Sequence, residues 1–211
     1  MNRQPRQETR TDTRVVLRPG ASPLPLGFLA LAFATTVFSA LQLGWIGAAE
    51  GRSAALAVLV LTVPLQLLAS VLGHLCRDPG ALTGMAVLAG TWAVAGTTTA
   101  LLPSGTYSDA LGVALLASAA ILLVAASADL GKPVACAVVT LAAIRFAVTG
   151  ITEITASSAW ETAAGLTGLL LALLALYAAL AFLLEEVRGR AVLPLLRPQP
   201  VGDEPGVRPR L

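Results

Sequence analysis

Three polar or charged side chains that could bind a ligand or carry a proton lie within or beside long apolar stretches of this chain. Arg145 stands about twelve residues into one apolar run, roughly 18 Å along a helix, and its guanidinium suits a carboxylate ligand. Gln66 lies in the middle of another run and offers amide hydrogen bonds, and Glu153 could carry a proton if it were buried. Polar groups in an apolar medium are unfavourable without a partner. These residues are therefore the first candidates for a functional site.

Each of these candidates also has a structural explanation. Arg145 could pair with Glu153 or Glu161, or extend its long side chain to the membrane surface. Gln66 could hydrogen-bond a neighbouring helix, and the two glutamates could be solvated loop carboxylates. The sequence leaves both explanations open.

The composition shows what must position these side chains. The chain has 211 residues, of which 56% are hydrophobic and 12% charged, whereas a soluble domain carries roughly 25% charged residues. Six apolar runs approach or exceed the roughly 20 residues that cross a bilayer as a helix. We therefore predict an all-α integral membrane protein with one six-helix membrane domain over residues 22–190. The predicted spans are 26–47, 54–75, 81–102, 109–128, 133–152 and 162–184.

The basic residues predict the orientation of this domain. Twelve of the fourteen lie in the two tails and in two gaps on one side: Arg3, Arg6, Arg10, Arg14, Arg18, Arg77, Lys132, Arg188, Arg190, Arg197, Arg208 and Arg210. Because basic residues favour the cytoplasmic side, we expect both termini in the cytoplasm and the protein in the plasma (inner) membrane. Residues 1–21 form a basic tail that we expect to be disordered, and the proline-rich residues 191–211 an irregular one.

Other chemistries find little support. One histidine, His74, and two separated cysteines make a zinc site improbable. Cys76 and Cys136 lie near cytoplasmic ends of spans, where thiols stay reduced, so we predict no disulfide. The chain has neither a His-Glu-x-x-His nor a Gly-x-Ser-x-Gly motif. We expect no enzyme, no metal, no cofactor and no nucleic-acid partner.

Several motifs carry a family resemblance. The first run opens with Ser22-Pro23-Leu24-Pro25-Leu26-Gly27, where the prolines suit a first helical turn. This motif resembles the Asn-Pro-Ala-Pro-Leu-Gly-Leu signature of the acetate uptake transporter family (YaaH-type succinate–acetate permeases). Residues 80–92 and 177–194 are similar to two further family motifs in the same order, and Gln66 falls where that family has a glutamine.

The resemblance implies a helix bundle around a narrow pore in each subunit, and a homo-hexamer in the lipid bilayer. It places Leu31 and Leu88 at the constriction, where the family has aromatic residues, and a fifth-span position near residues 140–142, for which Leu141 is the candidate. The implied function is a permease for small monocarboxylates such as acetate, with succinate as a second substrate and protons as the coupled ion. A permease for another small solute, or a non-transporting scaffold or sensor, is the alternative.

Overall fold

Six long helices account for most of the structure. The structure is a computed structural model, and it describes residues 21–196. All six helices are long and apolar enough to cross a membrane, and no strand occurs among the described residues, so the predicted fold class is confirmed. The predicted tails lie largely outside the described residues. The helices are α1 (Leu24–Gln42), α2 (Gly51–Leu75), α3 (Pro79–Leu101), α4 (Asp109–Ala128), α5 (Pro133–Thr155) and α6 (Ser158–Arg188).

The helices differ in length from the apolar runs because local signals end them. α1 stops at Gln42, five residues before its apolar run ends, and Gly44 follows with a left-handed φ of 69°. A short 3-10 turn, Ala48–Glu50, then leads into α2. α6 runs beyond its apolar core at both ends, and Gly189 terminates it with a φ of 64°. Glycine adopts this backbone conformation without steric penalty.

The helices form a closed ring in chain order. Each helix packs on its neighbour in the sequence, and α6 closes the ring by packing on α1. The apolar stretches of α1, α3 and α5 are each 56% buried inside the bundle, against 33% for α2, 39% for α4 and 44% for α6. Alternate helices are therefore more central, and α1, α3 and α5 supply most of the interior.

The proline-rich motif positions α1 within this ring. Pro23 is the N-cap residue and Pro25 lies in the first turn, where neither ring displaces an intrahelical hydrogen bond. Gly27 is buried against the Met85 side chain of α3, leaving no room for a Cβ atom. Ser22 and Leu26 are only partly buried. The motif thus brings the start of α1 close to α3.

Two glycines set the closest approach between α4 and α5. A Cβ atom on Gly150 would lie 2.8 Å from the carbonyl oxygen of Gly112 and 3.0 Å from the Leu116 side chain. Small residues of this kind let membrane helices approach backbone to backbone. This contact fixes the height of α5 in the ring.

We expect Gly150→Ala to lower the unfolding temperature of the purified protein in detergent. The added methyl group meets backbone that cannot rotate away, and overpacking of this kind destabilises by about 1–3 kcal/mol. The control is Gly90→Ala on α3, where nothing lies within 4 Å of the new Cβ atom. The control should be neutral or slightly stabilising, because alanine favours a helix over glycine. Equal shifts for both variants would contradict this packing.

Residues 21 and 196 lie at the same end of the bundle, which we call the terminal side. There, a cluster of charged residues joins the α2–α3 loop to the α4–α5 loop. The Asp78 carboxylate accepts from the Ala81 N–H at the start of α3 and pairs with the Lys132 ammonium. Asp129 is buried beside Gly80, where its carboxyl group fills the space of a side chain. Burial raises the pKa of Asp129 and the Asp78 carboxylate adds to this, although Lys132 opposes it.

This raised pKa gives a testable pH dependence. The neutral Asp129 carboxyl stabilises the fold fully below its ordinary pKa of 3.8, and that stabilisation is lost as pH rises through the raised folded-state value. Asp129→Asn, which mimics the neutral form, should match the wild type near pH 4 and gain stability relative to it towards pH 7. Unfolding temperatures across this range measure the difference. A difference that stays constant or shrinks with rising pH would contradict the assignment.

Candidate functional site

A cavity of about 160 Å³ lies at the end of the bundle opposite the terminal side, and we call it the vestibule. The loop between α3 and α4 and the start of α6 border its mouth. Threonines of α3 and α5 form its walls, and aromatic side chains form its floor. The main lining residues are Phe38, Gln42, Trp92, Thr98, Thr99, Tyr107, Arg145, Phe146, Thr149, Glu153 and Glu161.

The floor is an aromatic layer with one residue from each central helix. The Phe38 and Trp92 ring centroids are 5.3 Å apart, and the Trp92 and Phe146 centroids are also 5.3 Å apart. Leu31 and Leu88 lie beyond this layer towards the terminal side, both with 0% exposure. Three aromatic rings in tilted and edge-to-face contact therefore separate the vestibule from the predicted constriction.

Arg145 is the one charged residue among the fully buried side chains of the described chain, with 1% exposure. Its Nη1 atom donates to Thr149 Oγ1 at 2.5 Å, and its Nε atom has no hydrogen-bond partner. The one ion pair among residues 21–196 joins Lys132 to Asp78. The pairing of Arg145 with Glu153 or Glu161 that the sequence left open is absent from this structure.

The lack of a side chain at Gly168 of α6 makes room for the Arg145 guanidinium. A Cβ atom on Gly168 would lie 2.6 Å from Arg145 Nε and would also overlap the hydroxyl oxygen of Ser39. Ser39 Oγ is buried and, like Arg145 Nε, has no partner. Three helices, α1, α5 and α6, thus hold a small polar space around a buried cation. Unpartnered buried polar groups are rare in proteins and call for a ligand or another explanation.

Two carboxylates stand at the mouth above this cation. Glu153 Oε2 accepts from the Ser108 backbone N–H at 2.9 Å, at the start of α4, and Glu161 Oε2 accepts from the Tyr107 hydroxyl at 3.2 Å. Desolvation and the Glu161 carboxylate raise the pKa of Tyr107 above its ordinary value of 10.0. The mouth is negative and the floor positive.

The remaining predicted residues lie away from the vestibule. Gln66 is fully buried on α2, and neither its amide nitrogen nor its amide oxygen has a partner. Leu141 is half-buried and lines a shallow groove with Leu130 and Ile144, whereas its neighbour Ala142 is fully buried. The structure thus brings Arg145 and Glu153 together in one cavity but not Gln66 or Leu141.

The histidine and the two cysteines, which we did not assign to a functional site from the sequence, lie as follows in the structure. His74 is exposed, and Cys76 and Cys136 are free thiols. Residues 21–196 contain no group of three histidine, cysteine or acidic side chains placed to hold a metal ion.

The aromatic floor was missed by the sequence analysis. Trp92 and Phe146 are the only aromatic residues of α3 and α5. Trp92 lies one helical turn after Leu88, and Phe38 lies two turns after Leu31. A search for one large aromatic at matching depth in alternate spans would have found them, because residues three to four apart share a helix face.

The fold and the site together define a class: six-helix membrane proteins with a closed helix ring and a solute-sized vestibule. The fold is similar to that of a solved structure, the bacterial acetate channel SatP, with a TM-score of 0.69 and 24% identity over 83% of this chain and 99% of that chain. No protein-family model matches the chain, and no curated protein matches it significantly. The fold expected from the sequence motifs is therefore confirmed.

Thiol labelling tests the closed floor. In a background with both native cysteines replaced by alanine, Thr98→Cys should react with a charged methanethiosulfonate reagent, because Thr98 lines the vestibule. Leu88→Cys should react at least about tenfold more slowly, because Leu88 is fully buried on the far side of the aromatic layer and needs a local opening to be reached. Mass spectrometry of the protein in lipid nanodiscs measures both rates. Equal rates would show that the floor does not close the path.

Proposed function

We propose that the protein is a membrane channel or permease for small monocarboxylates such as acetate. The observation that carries the proposal is Arg145, a buried guanidinium without a protein carboxylate, at the floor of a solute-sized vestibule. A buried charge without a partner is strongly unfavourable, and a carboxylate is the ligand whose geometry best matches the guanidinium fork. The structural similarity to an acetate channel supports the same substrate class.

The geometry suggests how a carboxylate would bind. Nε of Arg145 has no partner, and Nη1 is held by the Thr149 hydroxyl. Thr149 Oγ1 in turn donates to the Arg145 carbonyl oxygen at 2.9 Å, which fixes the orientation of both groups. Preorganisation of this kind lowers the entropy lost on binding. The methyl group of acetate would then face the aromatic floor.

Passage beyond the vestibule requires the aromatic floor to move. Rotation of Trp92 against Phe38 and Phe146 would open a route to Leu31 and Leu88. Apolar constrictions exclude hydrated ions by dewetting, so a neutral acid would cross this zone more readily than its anion. We therefore propose that transport is proton-linked. The unpartnered Gln66 amide lies at about the same depth in the bundle as Leu88 and offers a hydrogen-bonding group there. Leu141 is the residue that the resemblance predicts from α5, but it lines a shallow groove, whereas its neighbour Ala142 is fully buried.

The proposal also covers the membrane in which the protein lies, its orientation there and its oligomeric state. Large exposed apolar side chains such as Val60, Val124 and Leu173 suit a lipid-facing surface. The distribution of basic residues favours the plasma membrane with both termini in the cytoplasm. We propose a homo-hexamer from the family resemblance, with succinate as a second substrate. Transport changes no covalent bond, so no catalytic residue is assigned.

Uptake of radiolabelled acetate by proteoliposomes tests this function. Wild-type protein should take up acetate above protein-free liposomes, and Arg145→Gln should lose about tenfold or more of this uptake. Loss of a charge-assisted hydrogen bond is worth about 1.5–3 kcal/mol, and 1.4 kcal/mol is a factor of ten. The control is Arg52→Gln, which removes an exposed arginine on the same side, outside the vestibule.

An inward proton gradient separates the two transport modes. Gradient-dependent uptake, after subtraction of passive acetic-acid leak, supports proton coupling, and gradient-independent uptake supports a channel. Folded protein that takes up no acetate would contradict the proposal and would favour another solute or a non-transporting role. Equal activity of Arg145→Gln and wild type would remove Arg145 from the substrate site.

A further inference from the structure

The vestibule carries opposite charges along one face of α5. Arg145, Thr149 and Glu153 recur at intervals of four residues, and all three line the cavity. Residues four apart lie on the same helix face, about 6 Å apart along the axis. The cation lies at the floor and the carboxylate near the mouth, with a hydroxyl between them.

The two charges do not neutralise each other. No ion pair joins Arg145 to Glu153 in the described chain. Arg145 bonds Thr149 and keeps its Nε atom free, whereas Glu153 uses Oε2 for the Ser108 N–H. A carboxylate has about four acceptor positions, so Glu153 can accept further donors. Both side chains line the cavity, and neither is neutralised by an opposite charge of the protein.

A simple anion can pair with Arg145 but offers no positive charge to Glu153. Acetate on Arg145 would leave Glu153, with Glu161 behind it, facing a second negative charge. A small molecule with both a carboxylate and an ammonium group would complement both ends. The volume of about 160 Å³ restricts such a ligand to a short chain.

We propose that the vestibule binds small amino-acid zwitterions, with the ligand carboxylate on Arg145 and its ammonium group on Glu153. This inference rests on the proposed function, because it assigns a substrate class to the same site. Thr149 adds a hydroxyl beside the guanidinium, and the aromatic floor contacts the methylene groups.

Two matched pairs of probes isolate the ammonium group. Glycine differs from acetate, and 3-aminopropanoate from propionate, only by that group. Equilibrium binding of each radiolabelled probe is measured at neutral pH on the full chain in nanodiscs. At least one zwitterion should bind about tenfold more tightly than its matched anion, since a hydrogen bond between charged groups is worth about 1.5–3 kcal/mol.

Glu153→Gln gives the sharper test. The glutamine oxygen still accepts from the Ser108 N–H, so the start of α4 keeps its hydrogen bond. Zwitterion binding should weaken about tenfold, whereas acetate binding should tighten, because a negative charge near the anion is gone. Arg145→Gln should weaken both. The control is Glu50→Gln, an exposed glutamate on the same side and outside the vestibule.

The outcomes separate this inference from the proposed function. Acetate binding without zwitterion binding would overturn the inference and leave the monocarboxylate function standing. Loss of both on folded wild-type protein would overturn both. If Glu153→Gln shifted acetate and glycine in the same direction, the carboxylate would not bind the ammonium group. The wild-type comparison of glycine with acetate remains decisive even if the variant fails to fold.

Discussion

A guanidinium buried inside a membrane protein needs a counter-charge or a polar cage, and Arg145 has only part of one. Thr149 holds one nitrogen, while Nε faces the Ser39 hydroxyl across the gap left by Gly168. Desolvation of such an ion costs several kcal/mol, so the other helices must provide a place where an anion can complete its shell. We propose that the vestibule is this place and that its ligand is a carboxylate.

The helix ring makes the arrangement possible. α1, α3 and α5 lie nearest the centre, and each contributes one ring to the aromatic floor, in which Phe146 directly follows Arg145 in the sequence. Glycines at the α4–α5 and α1–α3 contacts let these helices approach closely without large side chains between them. The result is a site that is open on one side and closed on the other. A carrier or gated channel needs this asymmetry, because a continuous open pore would leak ions.

Hydropathy was sufficient to predict six spans, and the rarity of charge within them was sufficient to select Arg145. The direction of each side chain was harder to predict, because lipid and protein core are both apolar and the helices carry little sequence asymmetry. Leu141 and Ala142 illustrate this: one faces a shallow groove and the other the interior, and no pattern in α5 distinguishes them. Whether Arg145 pairs with Glu153 depends on the side-chain conformations of the two residues and on their other partners, Thr149 and the Ser108 N–H, and the second of these partners is brought near α5 only by the tertiary fold.

The central claim is that a carboxylate ligand completes the shell of Arg145. The most direct test is solid-state NMR of the protein in bilayers, with guanidinium-¹⁵N arginine and carboxyl-¹³C acetate. We predict a dipolar coupling that corresponds to a carbon–nitrogen distance of about 4 Å or less, as expected for a charge-assisted hydrogen bond, and that disappears in Arg145→Gln. No coupling in the wild type, or the same coupling in the variant, would contradict the account.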